Sequence, residues 1–166
     1  MLRWKSSLKP AAAAPATDYK ATVLADNPLF YYRLGESSGA TTAYDEVATT
    51  ANGTYYGSPT FGQTGAISGD SNTSVKFKEA DSDYAQTLSL SSETSLLPCT
   101  IECFMKTDGA SDENAGIVFY RSGSNTASGL NVRGTNNGSL AYHWRDQSNT
   151  WTYNPGITLS LSLIHI

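Results

Sequence analysis

Histidine and cysteine are scarce in this 166-residue chain, which contains two of each. Cys99 and Cys103 form a C-x3-C pair with no further cysteine, whereas a structural zinc site needs four nitrogen or sulfur ligands. If the segment is a strand, the two thiols share a face about 13 Å apart, which is too far for a disulfide. We therefore expect two reduced, buried thiols that pack as small apolar groups.

The two histidines give little support to a catalytic triad. His165 lies near the end of the chain, and His143 stands between Tyr142 and Trp144 in a predicted strand. A count of residues leaves a Ser/His/Asp triad open, but the chain has no G-x-S-x-G motif to present a nucleophilic serine. The prediction for His143 is an exposed strand histidine.

Long hydrophobic runs are also missing. No stretch reaches the roughly 18 apolar residues that a membrane span requires, so membrane insertion is not expected. The basic N-terminus is followed by an Ala/Pro segment at 11–16, which is too short and too weakly apolar for a signal peptide. We interpret residues 1–17 as a flexible linker, with a missing upstream part as the alternative.

Charged residues make up only 16% of the chain, and they are distributed unevenly. Residues 1–20 carry four Lys or Arg against one Asp, a net charge of +3. The remainder carries seven basic against fourteen acidic residues, a net charge of −7. Because an acidic body repels phosphate backbones, we do not expect nucleic acid as a partner.

The abundant residues are Ser, Thr, Asn and Gly, together with ten Tyr, a composition typical of β structure. One short helix is predicted at 18–28, with Asp18 as its cap and Pro28 as its end. After it, about eight or nine short strands separated by polar turns favour a β-sandwich. They are predicted at 28–34, 53–57, 73–77, 83–90, 99–106, 116–121 and 129–134, with Asn137-Gly138 opening a hairpin strand that runs to Trp144.

Aromatic and polar residues are interleaved at 140–153. Flat aromatic rings beside amide and charged groups provide what a sugar ring needs, namely a stacking face and hydrogen bonds. Tyr142 and Trp144 share a face of the predicted strand, so packing in the core is the alternative. The candidate ligand-binding residues are Tyr142, Trp144, Asp146, Trp151 and Tyr153.

The acidic residues argue against a glycosidase. A retaining enzyme needs two carboxyl groups about 5–5.5 Å apart across the scissile bond. The one acid in a predicted strand, Glu102, has no acidic partner two residues on. The acidic clusters all fall in predicted loops, at Asp45-Glu46, at Glu79, Asp81 and Asp83, and at Asp112-Glu113.

The loop at 79–84 is the candidate metal site. It places three carboxylates within five residues, as a calcium loop does, although it lacks the spacing of an EF-hand. The candidate ligands are Asp81 and Asp83, with calcium as the ion. A solvated acidic loop is the alternative.

An ordered series of motifs resembles laminin-G-like domains of bacterial and phage proteins, which belong to the concanavalin A-like lectin/glucanase superfamily. The motifs are "VLADNPLFYYRLGESSG" at 23–39, "NGTYYGSPTFGQTGAISGDSNTSVKF" at 52–77, "DYAQTLSL" at 83–90 and "CTIECFMKT" at 99–107. The resemblance covers Tyr19 to Trp151. It implies a jelly-roll sandwich of two antiparallel sheets, in which a calcium ion at a loop rim is common.

The chain departs from the family pattern in two places. Cys99 stands where the family usually has a phenylalanine. After Trp151 the family continues with further strands, whereas "TLSLSLIHI" at 158–166 resembles a translated sequencing adaptor. The resemblance thus implies a laminin-G-like domain at 18–157 that is incomplete at its C-terminus, followed by a tail that we expect to be disordered or a poorly packed add-on strand.

These observations lead to the expectation of a non-catalytic binding or adhesion module. Its expected partner is a glycan or an extracellular or virion protein, and its expected location is extracellular, at a cell surface or on a virion. The alternatives are a purely structural domain of a phage tail or cell-surface protein and, behind it, a glycosidase remnant.

Overall fold

The structure, a computed structural model, describes residues 16–87, 100–106, 115–122, 126–133, 139–145, 150–153 and 164–165. These residues form several small antiparallel sheets and one short helix near the N-terminus. The prediction of a mostly β chain with a short N-terminal helix is therefore confirmed. The chain divides into two compact units, Met1–Ser95 and Leu96–Ile166.

The predicted N-terminal helix is present and its bounds are shifted. Helix α1 covers Ala16–Ala25, so Asp18 lies in its first turn and is not its N-cap. The prediction of Asp18 as the cap is wrong, because the residues before it also take up helical geometry. At the other end, the N–H of Asn27 bonds back to the last turn at 3.1 Å, and Asn27 has a φ of 52°. A left-handed residue followed by Pro28 ends the helix.

The first unit contains two small antiparallel sheets, both built from strands of two to four residues. The first three strands are β1 (Thr42–Ala43), β2 (Gly53–Tyr56) and β3 (Thr60–Gln63), and the next two are β4 (Ser74–Lys76) and β5 (Tyr84–Gln86). One sheet has the order β1-β2-β5, and the other pairs β3 with β4 through a register shift. The strands predicted at 53–57 and 73–77 are thus present in shortened form. The strand predicted at 83–90 contains β5, and its residues 88–90 lie outside the described residues. Strands β1 and β3 were not predicted.

The strand predicted at 28–34 is wrong. Only an isolated antiparallel bridge between Tyr32 and Asp45 is present there. Leu34 has a φ of 53°, which an extended strand does not allow. The reason is the carboxylate of Asp45, whose Oδ1 accepts the N–H of Tyr31 at 2.8 Å. A side chain thus takes a backbone donor that a neighbouring strand would otherwise use.

Asp45 is the buried acid that organises this region, and it is only 7% exposed. Its Oδ1 also accepts the N–H of Val47, and its Oδ2 accepts the N–H of Ala48, both at 3.2 Å. Its own N–H donates to Oδ1 of Asn52 at 3.0 Å. A buried carboxylate is stable when backbone donors surround it, so this loop acid has a structural role.

The core of the first unit is centred on β2. Burial alternates along the strand, with Gly53 and Tyr55 buried and the residues after each of them exposed, as a half-buried strand requires. The Tyr55 ring meets the Phe61 ring edge-on, with centroids 5.0 Å apart and planes at 86°. This edge-to-face contact joins the β1-β2-β5 sheet to the β3-β4 pair.

The second unit contains a four-stranded antiparallel meander of order β10-β9-β8-β7 and a two-stranded pair, β6 with β11. The strands predicted at 116–121 and 129–134 and the hairpin strand ending near Trp144 are confirmed. Of the strand predicted at 99–106, only two of the described residues, 104 and 105, are in a strand, and Cys99 lies outside the described residues. The bounds are β6 Phe104–Met105, β7 Ala115–Ser122, β8 Thr126–Arg133, β9 Ser139–Arg145, β10 Thr150–Tyr153 and β11 Ile164–His165.

The tail of the chain supplies β11. Ile164 lies opposite Met105 and His165 opposite Phe104. The other residues of the 158–166 tail lie outside the described residues. The described part of the tail is therefore a two-residue strand paired with β6, and the expectation of a disordered or poorly packed tail stays a prediction.

Among the residues of the second unit whose burial the structure describes, the buried ones lie on the two central strands of the meander. Leu130, Asn131, Leu140 and Ala141 are each less than 10% exposed, and Ala141 is fully buried. Gly129 permits a close strand pairing, because a Cβ at this position would come within 2.0 Å of the carbonyl oxygen of Val118. Within the described ranges, no helix is long and apolar enough to cross a membrane.

Candidate functional site

The β9–β10 hairpin brings the predicted aromatic residues together. Trp151 lies directly opposite Trp144, and Tyr153 lies directly opposite Tyr142. Residues two apart in a strand share a face, and so do directly opposed residues on neighbouring strands. All four aromatic residues therefore occupy one face of the hairpin, which we call the aromatic face. The fifth predicted residue, Asp146, follows the last residue of β9 and lies outside the described residues.

The same ladder defines what adjoins the aromatic face. Leu130 of β8 lies opposite Tyr142, and Val118 of β7 lies opposite Leu130. Leu140, two residues before Tyr142 on this face, is 8% exposed, whereas Tyr142 is half-buried and Val118 is 40% exposed. The buried centre of this face thus lies at Leu130 and Leu140, and on β9 burial decreases from Leu140 to Tyr142.

His143 occupies the other side of the hairpin. It lies opposite Gly129 of β8 and Thr152 of β10. Since it alternates with Tyr142 and Trp144, it belongs to the face away from the four aromatic residues. The backbone therefore does not bring this histidine to the aromatic face.

Asp83 holds a tight turn in the first unit. Its Oδ1 accepts the N–H of Ser58 at 2.6 Å, and its Oδ2 accepts the N–H of Lys78 at 3.0 Å. A Cβ on Gly57 would lie 2.4 Å from Oδ1 of Asp83, and Gly57 has a φ of +80°. Only glycine fits this close approach without strain.

Asp81 lies at the end of a short 3-10 helix, Glu79–Asp81. Its carboxylate pairs with Lys78 at 3.5 Å, and both side chains are almost half exposed. In the part of the chain that the structure describes, no group of three or more His, Cys, Asp or Glu side chains could hold a metal. Calcium binding at Asp81 and Asp83 stays a prediction.

The remaining sequence candidates are dispersed. Glu102 is exposed, while the pair Asp112-Glu113 lies outside the described residues. Cys103 is a half-buried free thiol, and burial raises its pKa. Cys99 lies outside the described residues, so the expectation for the two thiols as a pair stays a prediction. Residues 100–103 are not in a strand, so the distance argument, which assumed a strand through both cysteines, does not apply to them.

A cleft in the first unit was not predicted. It has a volume of about 520 Å³ and lies between the loops 33–38 and 70–73, with Gly62 beside them. We call it the loop cleft. Part of these loops was assigned from the sequence to the strands predicted at 28–34 and 73–77, and the rest to connections between strands.

An ion pair forms the base of the loop cleft. The Arg33 guanidinium pairs with the Asp70 carboxylate, and the two side chains are 18% and 11% exposed. Oδ1 of Asp70 accepts the N–H of Asn72 at 2.8 Å. The Asn72 amide donates to the carbonyl of Arg33 at 3.2 Å and to that of Thr73 at 2.9 Å. These bonds tie the two loops to each other.

Glu36 forms one wall of the loop cleft, and both of its oxygens have partners. Oε1 accepts the N–H of Tyr44 at 2.8 Å, and Oε2 accepts the hydroxyl of Tyr55 at 2.7 Å. Burial, followed by the hydrogen bond to Glu36 and its charge, raises the pKa of Tyr55 far above the usual range of a phenol. The Glu36 carboxylate is therefore held in place by the backbone N–H of Tyr44 and by the neutral hydroxyl of Tyr55.

Comparisons with protein-family models, with curated proteins and with solved structures found no match.

Proposed function

We propose that this chain is a non-catalytic carbohydrate-binding module and that the aromatic face is its binding surface. The observation that carries the proposal is the β9–β10 register, which pairs Trp144 with Trp151 and Tyr142 with Tyr153 on one face. Two opposed aromatic pairs along a hairpin form a continuous strip of aromatic positions. A linear saccharide presents the apolar faces of successive sugar rings with similar regularity.

The location of the strip within the sheet supports the proposal. β10 is the outer strand of the meander as far as the structure describes it. The buried part of this face lies toward Leu130 and Leu140, on the inner strands. A ligand that approached the outer hairpin would therefore not have to displace the buried centre of the sheet.

The proposal includes the finer fold and setting that the motif resemblance implies. We propose a laminin-G-like jelly-roll of two antiparallel sheets, exposed outside a cell or on a virion, with a glycan or a surface protein as partner. The mostly β chain with several antiparallel sheets is compatible with this fold. An experimental structure without a second sheet packed on the meander would contradict the fold part.

The binding proposal is tested with a glycan array followed by titration of the strongest saccharide. We expect Trp144→Ala and Trp151→Ala each to weaken binding about tenfold, equivalent to about 1.4 kcal/mol. The matched control is Phe119→Ala, because Phe119 lies opposite Gly129 and thus on the other face of the same sheet. It is 40% exposed, so its removal should leave the affinity unchanged.

Two results would contradict this assignment. If no saccharide binds the wild-type chain, the alternative of a purely structural domain is favoured. If a saccharide binds and both tryptophan variants retain full affinity while melting normally, the ligand occupies a different surface.

A further inference from the structure

We propose that the loop cleft is a second saccharide site, which binds one neutral sugar residue by hydrogen bonds without aromatic stacking. Its volume of about 520 Å³ falls within the range of roughly 300–1,000 Å³ that is usual for small-molecule pockets. All of its lining side chains are polar or charged, apart from two glycines. The cleft therefore offers an apolar ligand less surface to bury than a polar one.

The charges of the loop cleft exclude an anionic ligand. The one cation in the lining, Arg33, is already paired with Asp70. Glu36 adds a second carboxylate to the same lining, which leaves a net charge of −1. An incoming carboxylate or phosphate would have to displace Asp70 and would be repelled by Glu36.

The same contacts disfavour a metal cation. Each oxygen of Glu36 accepts one hydrogen bond. Oδ1 of Asp70 accepts the N–H of Asn72, and Oδ2 pairs with Arg33. A cation would have to compete with these bonds and with the adjacent guanidinium charge. The lining therefore selects for a neutral polar ligand.

Serine hydroxyls supply the contacts that such a ligand needs. Ser37, Ser38 and Ser71 line the loop cleft and are exposed, and their hydroxyls make no hydrogen bond to the described part of the chain. A serine hydroxyl both donates and accepts, as a sugar hydroxyl does. Beside them, Asp70 holds the guanidinium of Arg33, whose remaining N–H groups are strong donors in a fixed orientation.

A single backbone feature keeps the loop cleft open. A Cβ on Gly35 would lie 2.1 Å from Oδ1 of Asn72, so a side chain at 35 would push the Asn72 amide away. That amide ties the two loops together through Arg33 and Thr73. The glycine therefore permits the close approach that shapes the cleft.

The experiment is a titration of the isotope-labelled chain, followed by amide chemical shifts. The probes are the neutral methyl glycosides of glucose, galactose, mannose and N-acetylglucosamine, with free sialic acid as the charged comparison. We expect at least one neutral glycoside to shift the amides of Ser37, Ser71 and Asn72. The double variant Ser38→Ala/Ser71→Ala should weaken binding about fivefold, as the loss of one or two neutral hydrogen bonds predicts. Ser68→Ala is the matched control, since Ser68 is exposed and does not line the cleft.

The outcomes separate this site from the aromatic face. If a neutral glycoside shifts the cleft amides and the double variant binds it more weakly, the cleft site is supported. This holds whether or not the amides of β9 and β10 also shift. Shifts confined to β9 and β10 support the aromatic face and overturn the cleft. Tighter binding of sialic acid than of every neutral glycoside overturns the ligand class, and an unchanged affinity of the double variant overturns the site.

Discussion

The hydroxyl of buried Tyr55 donates a hydrogen bond to Oε2 of Glu36 at 2.7 Å. The bond links the core of the first unit to the wall of the loop cleft. We expect Tyr55→Phe to lower the free energy of unfolding by about 1–2 kcal/mol, because a carboxylate oxygen loses its donor. Urea denaturation of the purified chain measures the difference.

The matched control for this change is Tyr56→Phe. Tyr56 is 42% exposed and stacks on Tyr84 at 4.7 Å, a contact that phenylalanine retains. Its stability should change by less than about 0.5 kcal/mol. Equal losses in the two variants would show that the bond to Glu36 contributes nothing.

Tyr32 predicts a loss of stability at alkaline pH. Burial, and then the negative charge of Asp45, raise its pKa from 10.0 to about 12. The folded state therefore holds this proton more tightly than the unfolded state, so the contribution is complete below pH 10. It is lost as the pH rises through about 12. Denaturation curves across this window should show stability falling with pH.

The variant Tyr32→Phe isolates this group. It lacks the proton, so its stability should fall less steeply over the same pH window than that of the wild type. A titration followed by the ultraviolet absorbance of phenolate provides an independent measurement. The variant should have one fewer tyrosine that ionises near pH 12 than the wild type. Identical slopes would assign the alkaline loss to other groups.

Asp45 should be among the least replaceable acids of the first unit. Asp45→Ala removes the acceptor of three backbone N–H groups, those of Tyr31, Val47 and Ala48. We expect a loss of about 3 kcal/mol or more in the free energy of unfolding. Asp26→Ala, at an exposed position with no such bonds, should cost less than about 0.5 kcal/mol. A small effect of Asp45→Ala would mean that water replaces the carboxylate.

Substitutions at two glycines distinguish the cost of a steric collision from the cost of backbone strain. Gly57 and Gly39 have φ values of +80° and +83°, but only at Gly57 would a Cβ collide, with Asp83. Gly39→Ala should cost about 1 kcal/mol through backbone strain alone. Gly57→Ala should cost clearly more, because the Asp83 turn must also shift. Equal melting temperatures of the two variants would contradict the close contact at Gly57.

Calcium binding at Asp81 and Asp83 predicts a rise in melting temperature in millimolar calcium, because a ligand of the native state stabilises it. Asp81→Asn should abolish the rise. It should cost little without calcium, since the pair with Lys78 is exposed. An unchanged melting temperature of the wild-type chain would support the solvated acidic loop.

The sequence by itself determined the elements whose signal is local. The strands predicted at 53–57 and 129–134, and the strand predicted after Asn137-Gly138, correspond to β2, β8 and β9 of the structure. Of the five proposed ligand residues, the sequence placed Tyr142 and Trp144 on a predicted strand, and strand period alone puts these two on one face. The strand that carries Trp151 and Tyr153, β10, was not predicted. The mostly β class followed from the composition, which is rich in Ser, Thr, Asn, Gly and Tyr.

Tertiary structure decided the features that depend on distant partners. Residues 28–34 have strand-like composition, yet Asp45, fourteen positions from Tyr31, takes their backbone donor. The direct opposition of Trp144 and Trp151 follows from the hairpin register, which strand period alone does not fix. The loop cleft requires Arg33 to meet Asp70, 37 residues away. Such contacts arise because folding satisfies buried polar groups with whatever partner packing brings close, and sequence spacing carries no record of that choice.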